Sequence, residues 1–352
     1  MTNVNSNNYS NSDALIKRLQ MKGLMNKEKE EVQDEQKTEQ EHKQEQTQNA
    51  YSENNDASLE TLDYQALMNS TLVQNMKIEN GKFTTYPLSS KGTKIQINGE
   101  EVLVKGVGSF DIAIEGNNVI IKAASKNASS ITFNNTGDLN ITIEKSENYP
   151  TRSFNLTTGT GNDTILVADG AKVSTINSGK GDDVVIIGEN AQVTNVKTGD
   201  GDDTVVNFGT VSNINTEKDN DVVLNKGTVT SNISLGEGDD VGQNDGTVKQ
   251  NIKGESGNDQ IINNKEAKKL DGGNGSDTVF DNKTVKFENG KTLPIKEGET
   301  VVLNSDGGVT VTSSDFVITY DKNKNEISKV PVEQSINNPD EAETKLYIVT
   351  SE

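Results

Sequence analysis

The chain has 352 residues, of which 30% are hydrophobic, 4% aromatic and 25% charged, with no cysteine, no tryptophan and a formal net charge of −20. So few apolar residues over such a length do not suit a conventional globule, and so acidic a chain offers no basic face to nucleic acid or to an anionic membrane surface. Without cysteine there is no disulfide framework and no thiolate metal site, and no apolar run reaches membrane-spanning length.

Residues 1–57 read as a disordered, charged and Gln-rich tail. Lys27 to Gln48 is almost wholly Lys, Glu, Asp, Gln and Thr, and such a stretch buries too little apolar area to offset its ordering entropy. Ser12 to Met25 has helical spacing, with Leu15, Ile16 and Leu19 on one side, and the start of the chain has no long apolar h-region of a secretory signal. Residues 58–80 predict a short helix, with Ser58 as cap and Leu59, Leu62, Ala66, Leu67 and Leu72 on its apolar face.

From 81 to 155 the pattern is strand-like and predicts an N-terminal β cap or early coils. Ile95, Ile97, Val102 and Val104 alternate around Asn98-Gly99, which reads as a hairpin turn. Residues 156–281 then repeat one phrase seven times at intervals of 18 to 20 residues: TGTGNDTIL (158–166), SGKGDDVVI (178–186), TGDGDDTVV (198–206), TEKDNDVVL (216–224), LGEGDDVGQ (235–243), GESGNDQII (254–262) and GGNGSDTVF (272–280). A fixed period of this length marks a solenoid. Three inward columns follow from the phase. They are Ile165, Val185, Val205, Val223, Ile261, Val279; Val173, Val193, Val211, Val229, Val248; and Ile176, Val196, Ile214, Ile233, Ile252, Leu270. Asn195, Asn213, Asn232 and Asn251 are expected to stack as a side-chain ladder. Residues 282–330 predict a C-terminal β cap, and 331–352 a tail ending in LYIVTSE.

The fold class is therefore all-β: a parallel β-roll or β-helix solenoid with coils of 18 to 20 residues, β caps at both ends and short helices after the tail. One carboxylate returns per coil, at Asp163, Asp183, Asp203, Asp221, Asp240, Asp259 and Asp277. Coils of a stacked sheet stand about 4.8 Å apart. Two bare carboxylates at that spacing repel by about 1 kcal/mol in water and by a few at an effective dielectric near 20. The column needs a cation. Ca²⁺, which takes six to eight hard oxygens, suits it better than Mg²⁺, and Zn²⁺ lacks Cys or clustered His.

The phrase resembles the calcium-binding nonapeptide of RTX (repeats-in-toxin, hemolysin-type) proteins, G-G-x-G-x-D-x-U-x with U a large aliphatic. Gly272, Gly273, Gly275, Asp277 and Val279 match it throughout, and the first three copies match except at the first glycine, which is Thr158, Ser178 or Thr198. Only one half of each coil keeps the motif, so the resemblance implies one column of calcium sites per roll. The metal residues it implies are Gly159, Gly161, Asp163, Gly179, Gly181, Asp183, Gly199, Gly201, Asp203, Asp221, Gly238, Asp240, Gly257, Asp259, Gly273, Gly275 and Asp277. The fourth to sixth copies are worn: Glu217, Asp219 and Glu255 replace glycines, and Gly242 replaces an aliphatic.

Other motifs fail. Gly290-Lys291-Thr292 lacks the first glycine of a phosphate loop. Asp321, Asn323 and Asn325 begin like an EF-hand loop, but Val332 stands in place of its last Glu. Both predict turns. The one histidine, His42, lies in the tail, and no catalytic constellation is found, so the protein is expected not to be an enzyme. The expected function is a calcium-binding, secreted or cell-surface β-roll protein with a structural or adhesive role. Its repeats fold on Ca²⁺ binding; its other partners would be cell-surface, matrix or glycan ligands, and no nucleic acid. The resemblance further implies type I export. Two alternatives stand beside it: a polysaccharide-acting enzyme built on a solenoid, and a calcium-independent β-helix adhesin or scaffold.

Overall fold

The computed structural model describes residues 62–79, 81–281, 284–287, 289–296, 299–303 and 308–332. The expected N-terminal tail, its Ser12–Met25 segment, Ser58 and the LYIVTSE terminus lie outside them. The chain divides into two compact units; among the described residues, one holds both helices and the other every strand.

Two short helices occupy the region read as one. Asp63 caps the first, Tyr64–Met68 (α1), by accepting the Ala66 N–H at 2.7 Å. Ser70 stands ahead of the second, Thr71–Asn75 (α2), its hydroxyl accepting the Val73 N–H at 3.4 Å. Asn69 and Ser70 prefer local backbone bonds to helix continuation, which separates the two.

The other unit is a parallel β-solenoid of about nine turns. One ladder stacks Asn118–Ala123, Asn140–Ile143, Thr164–Val167, Val184–Ile187, Thr204–Asn207, Val222–Asn225, Val241–Asn244, Gln260–Asn263 and Thr278–Asp281 in parallel register. A second ladder stacks Ser130–Asn134, Asn155–Thr157, Lys172–Lys180, Gln192–Asp200, Thr210–Lys218, the pair Thr228–Val229 and Ile233–Glu237, Thr247–Ser256 and Glu266–Asn274. The parallel stack thus begins upstream of the first acidic phrase.

The three predicted columns lie between the ladders. Val185 pairs with Ile165 and Val205, Val193 with Val173 and Val211, and Val196 with Ile176 and Ile214. All belong to one buried core. The fifth coil solves its own defect: a Cβ on Gly242 would come 3.1 Å from Leu235 Cδ1, and Leu235 is fully buried in that core. The leucine fills the place of the missing aliphatic, which preserves interior packing.

Each end closes with antiparallel strands, which suit an edge that parallel coils leave open. Strand Glu100–Glu115 spans both ladders, pairing Leu103–Val107 with Ser130–Asn134 and Phe110–Glu115 with Asn118–Ala123. Strand Thr93–Ile97 joins it through the Asn98-Gly99 turn, both residues at positive φ. At the other end Thr278–Asp281 pairs antiparallel with Thr284–Phe287, and a four-stranded antiparallel sheet runs from Thr300 to Pro331. Val285, Phe287, Val301, Val309 and Val311 pack there against Ile262 and Phe280. Gly290 makes the hairpin turn predicted for it, and the Asp321 carboxylate accepts the Asn323 and Asn325 N–H groups within a second turn.

Candidate functional site

The acidic phrases form the loops that join the second ladder to the first, so the register of the strands stacks them. Numbered from one to six, as in Ser178-Gly179-Lys180-Gly181-Asp182-Asp183, three of the six positions build a side-chain ladder of their own.

Position six is the predicted Asp column, and it is buried: Asp163, Asp183, Asp203 and Asp221 are fully inaccessible, and Asp240 and Asp259 nearly so. Each carboxylate reaches back one coil. Oδ1 of Asp183 accepts the Asp163 N–H at 2.7 Å, and the same bond joins Asp203 to Asp183, Asp221 to Asp203, Asp240 to Asp221, Asp259 to Asp240 and Asp277 to Asp259. Oδ2 of Asp183, Asp221 and Asp259 is buried without a hydrogen-bond partner. Such an orphan is costly.

Position five runs the other way and is exposed in most coils, half-buried at Asp202 and Ser276. The Asp182 N–H donates to Asn162 Oδ1, Asp202 N–H to Asp182, Asn220 N–H to Asp202, Asp239 N–H to Asn220 and Asn258 N–H to Asp239, all at 2.8–3.0 Å. Its residues tie each coil to the next, which is a structural use of their oxygens.

Position one was unmarked in the sequence except as a departure from glycine. The Thr158 hydroxyl donates to the Ser178 carbonyl at 2.6 Å, Ser178 to Thr198 at 3.2 Å, Thr198 to Thr216 at 3.0 Å, and Thr216 to Leu235. The Thr158, Ser178 and Thr216 hydroxyls also lie within hydrogen-bond reach of the carboxyl of Asp163, Asp183 and Asp221 in their own loops. A hydroxyl has one proton. With that proton on the carbonyl, the Ser178 and Thr216 hydroxyls have none left to give the carboxylates of Asp183 and Asp221.

Burial dominates the electrostatics. Desolvation pushes Asp163 up to about 6, Asp183 to about 8, Asp221 to about 9 and Asp259 to about 7, with hydrogen bonds opposing the rise and neighbouring carboxylates adding to it, Asp138 for Asp163 and column members for the other three. These groups hold a proton at a pH where an exposed carboxylate is ionised.

The glycines at positions two and four hold the loops close. Gly199 has φ +115° and Gly201 φ +126°, and a Cβ on Gly199 would stand 2.0 Å from the Gly179 oxygen. The worn loops keep this backbone without glycine: Glu217, Asp219 and Glu255 have φ of +77°, +73° and +81°. Each strained residue costs about 1–2 kcal/mol and each bonds back to the preceding coil. Asp219 Oδ2 accepts the Gly201 N–H at 3.1 Å, Glu217 meets Lys197 Nζ at 3.0 Å, and Glu255 accepts from the Ser234 hydroxyl.

No known family, curated protein or solved structure matches this chain. Its chemistry therefore rests on the loops themselves. Gly159, Gly161, Gly179, Gly181, Gly199, Gly201, Gly238, Gly257, Gly273 and Gly275 stack beside the Asp column in one line of loops. Among the described residues no three acidic or histidine side chains converge on one point, since the column supplies one carboxylate per coil. The remaining oxygens at hand are hydroxyls and loop carbonyls. Buried orphan oxygens, glycine cradles and an all-oxygen donor set fit a hard cation.

The predicted Asn stack is only partly formed. Asn213 Nδ2 donates to Asn195 at 3.2 Å, but the Asn232 amide donates to Ser231 instead. Coil four breaks its strand between Val229 and Ile233, which displaces that side chain. The continuous ladder runs elsewhere: Asn207 to Asn225, Asn225 to Asn244 and Asn244 to Asn263, each at 2.7 Å, then Asn263 to Asp281 at 3.0 Å. Its recurrence at 18 or 19 residues was visible just after the aliphatic phrase of coils three to six, where the first two coils have Val167 and Ile187. Among the described residues no helix is long and apolar enough to cross a membrane.

Proposed function

We propose that this is a calcium-binding β-roll whose acidic loops take Ca²⁺ and thereby hold the solenoid rigid. The observation that carries this reading is the buried, unpartnered Oδ2 of Asp183, Asp221 and Asp259. The resemblance of these loops to the RTX nonapeptide points to the same ion. Asp183, Asp203, Asp221, Asp240, Asp259 and Asp277 would hold it, with the hydroxyl oxygens of Ser178, Thr198 and Thr216 and loop carbonyls beside them. A bound Ca²⁺ supplies positive charge where desolvated carboxylates repel. The chain's own residues do the rest: the Oδ1 bonds fix each carboxylate, and the glycines bring the loops into contact.

Binding free energy gained only by the folded roll becomes folding free energy. Extracellular calcium modules work at about 10⁻⁴–10⁻³ M, which suits a secreted or cell-surface protein with a structural or adhesive role. The test is equilibrium dialysis of the full chain against Ca²⁺, with circular dichroism in EDTA and then in millimolar Ca²⁺. Expected are several bound ions per chain and a higher unfolding midpoint. No bound ion would refute calcium binding. It would favour the calcium-independent scaffold, a reading supported by the Asn and position-five ladders, which join coils without any metal.

A further inference from the structure

The loop preceding the first acidic phrase is built differently. The Leu139 N–H donates to Asp163 Oδ1 at 2.8 Å, the bond that each Asp N–H makes to the next carboxylate in later coils. Leu139 therefore stands at position six of that loop and Asn135 at position two. Asn135 is 4% exposed. Its amide nitrogen donates to both oxygens of Asp163, at 2.9 and 3.1 Å, and to the Gly137 carbonyl at 2.9 Å. Its oxygen accepts the Gly159 N–H at 2.8 Å.

In later loops position two cannot do this. Gly159, Gly179, Gly199, Gly236 and Gly273 have no side chain, and the carboxylates of Glu217 and Glu255 go to Lys197 and Ser234. There Oδ2 of Asp183, Asp221 and Asp259 has no partner, whereas Asp163 has both oxygens bonded. Both kinds of space contain a buried carboxylate that needs positive charge or donors. In the first, a primary amide supplies the donors.

We propose that Asn135 is a built-in substitute for the ion, closing the calcium column at its N-terminal end so that ion binding begins between the loops of Asp163 and Asp183. The proposal rests on the calcium reading. It removes the interval between Asn135 and Asp163 from the sites, and it makes Asp163 a carboxylate served by the protein alone on that side. It also explains how a column of ion-held loops joins upstream coils that have none. The amide ends the series without leaving a carboxylate oxygen of Asp163 unbonded.

The experiment counts bound Ca²⁺ by equilibrium dialysis on the full chain and three variants, with circular dichroism confirming the β fold of each. Asp183→Asn is expected to lower the count by one, and Asp163→Asn to leave it unchanged. Asn135→Asp places a second carboxylate against Asp163 and is expected to add one ion. If the wild type binds calcium and Asp163→Asn loses an ion as Asp183→Asn does, the inference is overturned while the calcium reading stands. The inference also falls if Asn135→Asp binds no more than the wild type. A wild type that binds no calcium overturns both.

Discussion

Replacing Gly199 by alanine tests whether the roll depends on backbone contact between loops. Gly199 sits at φ +115° and lies in register with Gly179 of the preceding coil. An L-residue in this region of positive φ costs about 1–2 kcal/mol. The added Cβ would meet the Gly179 oxygen at 2.0 Å, where ordinary contact begins at 3.4 Å, so the two coils must part locally. Weakening one buried inter-coil hydrogen bond adds about 1–2 kcal/mol, and the expected loss is about 3 kcal/mol in total. Gly116→Ala is the control. It has φ +62° with nothing within 4 Å of the new Cβ, and its expected cost is about 1 kcal/mol. Guanidinium unfolding of the full chain in EDTA, followed by far-UV circular dichroism, compares the two. Equal losses would show that the loops do not pack as described.

Two further outcomes follow from the interior. Asp163, Asp183, Asp221 and Asp259 have folded pKa values of about 6 to 9 against an ordinary 3.8, so between these limits the folded state binds more protons than the unfolded state. The contribution of these four carboxyls to calcium-free stability is therefore fully present below about pH 4 and is lost as the pH rises from there through 6 to 9; a urea midpoint in EDTA that is higher at pH 8 than at pH 5 contradicts this, and Ca²⁺ is expected to narrow the gap. Leu235→Ala empties the space beside Gly242 and is expected to cost about 2–5 kcal/mol. Adding Gly242→Val should recover part of that loss in a double-mutant cycle, and strict additivity would deny that the two side-chain positions share one space.

Much of the candidate site was legible as a period. Asp163 to Asp277 recur at 18 to 20 residues, and a solenoid turns equal sequence spacing into a spatial column. The partners of that column were not legible. The hydroxyls of Thr158, Ser178 and Thr198 looked like losses of a motif glycine, yet with Thr216 they form an inter-coil ladder. Asn135 lies in a loop without the motif, so no periodic signal marks it. The worn loops also misled by composition: Glu217, Asp219 and Glu255 keep the glycine conformation because each has a bond across the coil boundary to offset the strain.

The amino-acid sequence by itself determined the solenoid, its coil length, its three aliphatic columns and its line of carboxylates. These depend on residue type and repeat length, and both survive any detail of packing. Only the tertiary structure decided that the carboxylates face inward, that one oxygen of each is spent on the neighbouring backbone, and that Asn135 meets Asp163. Those outcomes depend on which atoms two successive coils bring within hydrogen-bond distance, and a one-residue change in loop phase would send the same side chains into solvent.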